Sequence, residues 1–142
     1  MILVDTSALS LAFRRKRHQL NPYELLVCRL LESAIAESQV ELLGMVRAEA
    51  LMGIREKAQY ERVRRALRGF DDVALTIADY EGAAEMSNRC RAAGITGGPV
   101  DFLICAVAVR RRWQILATDR DFYRYKRHLP LELLAPSAPR PN

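Results

Sequence analysis

The sequence predicts a three-layer α/β/α sandwich around a parallel, five-stranded sheet. Short apolar runs of strand length alternate along the chain with stretches of helical spacing. Parallel strands need crossover connections, and helices between them supply these while covering both faces of the sheet. Half of the 142 residues are apolar, enough for one core without disulfides or a structural metal.

Ile2-Leu3-Val4 forms the first expected strand, followed by a helical stretch from about Ala8 to Lys16 that runs into the basic cluster Arg14-Arg15-Lys16-Arg17. Asn21-Pro22 supplies a cap and a first-turn proline to a helix whose apolar face, Leu25, Leu26, Leu30 and Ile35, continues to about Glu37. Val40 to Met45 has strand length, Val46 to Ala58 returns to helical spacing, and a further helix covers Gln59 to Arg68. Val73 to Ile77, rich in strand formers, is the expected third strand. Asp79 to Ala93 is helical and stopped by Gly94. Beyond the turn Thr96-Gly97-Gly98-Pro99, the residues Val100, Leu103, Ile104, Val107 and Ala108 form one helical stripe. Gln114 to Ala117 is the fourth strand, Asp121 to His128 a short helix, and Leu131 to Leu134 the fifth strand. One domain, residues 1–134, is expected, with 135–142 and its three prolines as a disordered tail.

Cys28, Cys90 and Cys105 form no CxxC pair and sit among apolar neighbours, as small core residues of a protein kept reduced. Asp5 interrupts the opening apolar run where a signal peptide needs a long hydrophobic region, and no run approaches the roughly 18 residues of a membrane span. A cytoplasmic protein without membrane contact is expected. The net charge of +5, from 22 basic and 17 acidic residues, permits a polyanionic partner, although much of that charge belongs to solvated helix surface.

The acidic residues are more informative. In open parallel sheets ligands bind beyond the carboxyl ends of the strands, and Asp5 and Asp119 each follow a strand run, pointing at one rim. Either alone is equally well explained as a helix cap. Glu49 shares an inward stripe with Val46, Ala50, Gly53 and Ile54, and a buried carboxylate is expensive unless neutral, paired with a base or bound to a cation. Gly53, one turn on, would allow a neighbouring element to approach closely; the alternative for Glu49 is an edge position reaching solvent or Arg47. Asp101 lies in the first turn of the helix after Gly97-Gly98-Pro99, where the macrodipole alone would explain a negative charge. Asp121 either caps the last helix or supports the site. Four converging carboxylates raise one another's pKa unless a cation compensates, so the set implies a hard divalent ion, Mg²⁺ or Mn²⁺. Zinc is disfavoured because His18 and His128 lack ligand spacing and no cysteine adjoins the acids.

Four segments together, Val4-Asp5-Thr6-Ser7, the stretch from Arg47 through Glu49 to Gly53, Val100-Asp101 to Ala108, and Leu116 through Asp119 to Phe122, resemble a PIN-domain nuclease, in particular the VapC-type toxin of a toxin-antitoxin pair. The resemblance runs from Met1 to about Leu134. It implies a magnesium-dependent endoribonuclease with Asp5, Glu49, Asp101 and Asp119 as the catalytic, metal-holding acids, a cognate VapB-like antitoxin as inhibitor, and a homodimer. One departure is the Ala50-Leu51-Met52 that follows Glu49, where the family more often has a bulkier apolar residue.

In the chemistry this implies, a metal-activated water attacks an RNA phosphodiester in line and leaves 5′-phosphate and 3′-hydroxyl ends. Thr6, Ser7 and Thr118 are candidates to hydrogen-bond the acids, with plain turn roles as the alternative. Arg14, Arg15, Lys16 and Arg17 are candidates to track the RNA backbone, against the alternative of a solvated helix end. Two other readings compete. A phosphatase of the haloacid-dehalogenase type would use Asp5 as nucleophile, but the acid expected two residues later is Ser7. A non-catalytic PIN-like module would bind RNA or protein through the same fold.

Overall fold

Four short parallel strands form the sheet of the computed structural model, which describes residues 1–136. They are β1 (Ile2–Val4), β2 (Val40–Glu41), β3 (Gln114–Leu116) and β4 (Glu132–Leu133), ordered β2-β1-β3-β4, with Ile2 registered against Val40 on one side and Gln114 on the other. The central pair is the most deeply buried: Leu3, Val4, Ile115 and Leu116 are inaccessible to solvent, as strands covered on both faces must be. Helices α1 (Thr6–Phe13), α2 (Pro22–Ala36), α3 (Gly44–Leu51), α4 (Lys57–Leu67), α5 (Ile77–Ala92), α6 (Pro99–Arg111) and α7 (Asp121–Lys126) make the connections, with one 3₁₀ turn at Arg17–Gln19. The expected α/β architecture with a parallel sheet is therefore present. Of the expected tail, residues 137–142 lie outside the described residues.

Local chemistry sets the boundaries. Asn21 and Glu24 cap α2 reciprocally, with Pro22 in its first turn. Helix α6 is buried on nearly every side, Phe102 through Ala108 all being in the core, which exceeds the single stripe read from the sequence. The three cysteines are free and buried. Among the described residues no helix is long and apolar enough to cross a membrane.

Several expectations are corrected. The strand placed at Val73 to Ile77 is absent, and what remains is one parallel bridge between Leu42 and Asp72, with the Val73 N–H donating to the Leu42 carbonyl at 2.8 Å. The sheet accordingly has four strands among the described residues, not five. Thr76 and Asp79 form a reciprocal capping box, so the chain has turned into α5 by Ile77, which is 77% exposed. The strand placed at Val40 to Met45 stops at Glu41, because Gly44 already begins α3. The helix placed at Val46 to Ala58 ends at Leu51, where Gly53 adopts φ +80°. No atom lies within 4 Å of where a Gly53 Cβ would stand, so this glycine serves the left-handed turn and not a close approach.

Candidate active site at the carboxyl edge of the sheet

Asp5 leaves β1 with its N–H donating to the Leu116 carbonyl of β3 at 2.9 Å, which fixes it where the two central strands end. Its carboxylate is buried and caps α1: Oδ2 accepts from the Ser7 N–H at 3.0 Å and from the Ser7 hydroxyl at 2.6 Å. The same Ser7 Oγ accepts from the backbone N–H groups of Thr118 and Asp119, at 2.9 and 3.3 Å. One hydroxyl thus joins the loop after β1 to the loop after β3, its proton directed at Asp5 and its lone pairs at Asp119's backbone. Thr118 enters this network through its backbone N–H.

Glu49, half-buried on α3, accepts from the Thr6 hydroxyl at 3.2 Å, which brings α3 to the residue beside Asp5. Asp101 sits in the first turn of α6 without capping it, and its Oδ2 accepts from the Tyr125 hydroxyl of α7 at 2.8 Å. Asp119 is exposed and accepts the Asp121 N–H at 2.9 Å, while Asp121 itself pairs with Arg124 at 3.4 Å. Capping and site assembly are therefore not exclusive readings of Asp5, and Asp119 holds the start of α7 from the same edge.

The electrostatics show what geometry alone does not. Burial raises the Asp5 pKa above the ordinary carboxylate range against the two Ser7 hydrogen bonds, and Asp119 raises it further. Burial pushes Asp101 up to about 6; the Tyr125 hydroxyl opposes this, and the charges of Asp5, Asp119 and Asp121 add to it. The acids are close enough to feel one another. Among the described residues no ion pair engages Asp5, Glu49, Asp101 or Asp119. Their donors among the described residues are hydroxyls and backbone N–H groups, all neutral. Uncompensated, all-oxygen negative charge of this type fits a hard divalent cation. Among the described residues, however, no three such side chains converge as a ready-made metal cage.

Two members of the basic run at 14–17 are engaged in ion pairs with the following helix. Arg15 pairs with Glu24 at 3.3 Å and Arg17 with Glu32, both on α2, while Arg14 donates to the Met52 carbonyl at 3.5 Å. Both histidines are exposed. Tyr125 is the site residue that sequence reasoning missed. It is fully buried, its ring packs on Phe102 (centroids 4.9 Å apart) and edge-on to Phe122, and a Cβ at Gly97 would strike its hydroxyl. The Gly97-Gly98 pair was the available signal, read only as a turn.

Residues 2–128 match the family model described as PIN domain. No curated protein matches. Among solved structures the chain is similar to a chain of FitAcB from Neisseria gonorrhoeae, at 19% identity over 94% of this chain and 96% of that one, with a TM-score of 0.72. It is equally similar to a chain of VapBC2 from Rickettsia felis bound to a promoter DNA fragment, at 16% identity over 94% and 98%, TM-score 0.72. PAE2754 from Pyrobaculum aerophilum matches at 15% identity over 90% and 86%, TM-score 0.56. At these identities the structural matches establish the fold.

Proposed function

The chain belongs to the PIN-domain family, and from that premise we propose that it is a magnesium-dependent endoribonuclease, the toxin of a type II toxin-antitoxin pair. PIN domains are generally nucleases. The observation that supports the reading is that Asp5, Glu49, Asp101 and Asp119 lie towards one edge of the sheet and that, among the described residues, no arginine or lysine forms an ion pair with them.

In this reading the four acids would hold Mg²⁺, with Mn²⁺ as a substitute, and the ion would supply an activated water and charge neutralisation at the phosphate. The rest is done by the chain itself. Ser7 fixes Asp5 and the Asp119 backbone relative to each other, Thr6 ties Glu49 to the residue beside Asp5, and Tyr125 engages one Asp101 oxygen. Water as nucleophile, with the ribose 2′-hydroxyl idle, leaves 5′-phosphate and 3′-hydroxyl ends.

The likeness to FitAcB and to DNA-bound VapBC2 supports an antitoxin of VapB type as partner, and a cytoplasmic homodimer belongs to the same proposal. Family membership removes the phosphatase reading. Incubation of structured RNA with Mg²⁺, with EDTA and with the Asp101→Asn variant separates nuclease from inert binding module. Cleavage that survives EDTA, or products ending in 2′,3′-cyclic phosphate, would overturn the proposal.

A further inference from the structure

Between residues 55 and 68 the chain carries six basic and two acidic side chains, most of its net charge of +5. Helix α4 buries Val63 and Leu67 and turns Lys57, Arg62 and Arg65 to solvent, with exposed Arg55 and Arg68 flanking it. The Arg64–Glu61 contact at 2.5 Å is the ion pair within this segment. Among the described residues no ion pair engages Arg55, Lys57, Arg62, Arg65 or Arg68. The run at 14–17 differs, since Glu24 and Glu32 already neutralise two of its members.

The segment is also fastened to the elements that bear the acids. Arg47 of α3, the helix carrying Glu49, donates to the Leu67 and Phe70 carbonyls at 2.6 and 2.7 Å. Gln59 donates to the Arg14 carbonyl at the end of α1, the helix that Asp5 caps. Arg55 follows Glu49 by six residues, a reach within about 20 Å even for extended chain.

We propose that the outer face of α4 is the track on which a single-stranded stretch of RNA is held by its phosphates while the acids act on a neighbouring bond. This rests on the nuclease reading above. Arginine forks suit phosphate oxygens, and phosphate contacts position a strand without reading its bases. A protein partner would be expected to find a large apolar anchor on the face, and none of the exposed large hydrophobic residues falls between 55 and 68.

The test is binding of a labelled single-stranded oligouridylate to the full chain across a salt series, with Ca²⁺ in place of Mg²⁺. The variant is Arg62→Gln/Arg65→Gln/Arg68→Gln, and the control is Arg89→Gln/Arg91→Gln on α5. The track variant should bind about tenfold or more weakly, with a slope of log affinity against log salt shallower by about 2, or about 0.7 for each of three lost phosphate contacts. The control should match wild type. On a cleavable RNA the track variant should raise KM and keep kcat. Unchanged affinity and slope with cleavage intact sinks the track alone, whereas reduced binding in a protein that never cleaves sinks the nuclease reading alone. A polyglutamate peptide that binds as tightly as the RNA, and is equally lost in the track variant, would assign the face to an acidic protein and overturn the proposal.

Discussion

Two aspartates are buried in this chain, Asp79 between α5 and α6 at 1% exposure and Asp5 at the end of β1 at 7%. Asp79 is met by the Arg110 guanidinium at 2.5 and 2.8 Å and by the Thr76 N–H and hydroxyl, and Arg110 holds its pKa below the ordinary carboxylate range despite burial. Asp5 and its neighbour Asp101 are met by neutral donors, and their pKa values are raised. A carboxylate that serves as a structural clasp comes with its counter-charge built in. Under the proposed function, one left without it, beside others of its kind, would take its counter-charge from a bound cation.

The largest expected effect lies on the uncompensated side. Asp5→Asn or Asp101→Asn should lower Mg²⁺-dependent RNA cleavage by about a hundredfold or more, followed as single-turnover loss of a labelled RNA. The compensated side should answer in stability instead. Arg110→Ala strands Asp79, and denaturant unfolding should show a loss of about 2 kcal/mol, below the ~3–5 of a fully buried pair because Arg110 is 38% exposed. Cleavage by this variant, assayed where it is folded, should stay near wild type. A large catalytic defect there would erase the distinction between the two regions.

A pH series sharpens it further. Burial holds the Asp101 pKa at about 6 in the folded chain, against the ordinary 3.8 of a free aspartate, so between these limits the folded form binds the extra proton. Stability from this group is therefore present below about pH 4 and is lost as pH rises through 6. Asp101→Asn cannot ionise, so the metal-free variant should melt several degrees above wild type at about pH 7.5 and level with it at about pH 4. The smallest effect belongs to Tyr125→Phe, which keeps the ring packing on Phe102 and Phe122 and removes the hydroxyl from Asp101. It should cost about 1 kcal/mol by denaturant unfolding and a severalfold loss in cleavage. Equal behaviour of Tyr125→Phe and wild type in both assays would remove the hydroxyl from the site.

Much of this contrast was legible in the residues themselves. Apolar runs marked the two central strands, and the acid at the end of each sits at the shared edge because parallel strands all end on one side. The expected strand at 73–77 failed because Thr76-x-x-Asp79 is a capping signal that outweighs a short β-branched run. The ion pairs of the 14–17 run were hidden because Glu24 and Glu32 come from the next helix, and pairing across elements leaves no mark in local spacing. Tyr125 looked like core because, apart from one hydroxyl, it is.

The most direct measurement is a titration of the metal-free chain with Mn²⁺, followed by the loss of the free-ion electron paramagnetic resonance signal, for wild type and for Asp5→Asn, Glu49→Gln, Asp101→Asn and Asp119→Asn. The expected result is binding in the wild type that each single change weakens by about tenfold or more. Wild-type affinity retained in all four variants, or no binding in the wild type, would contradict the assignment of these acids as one ion-holding site.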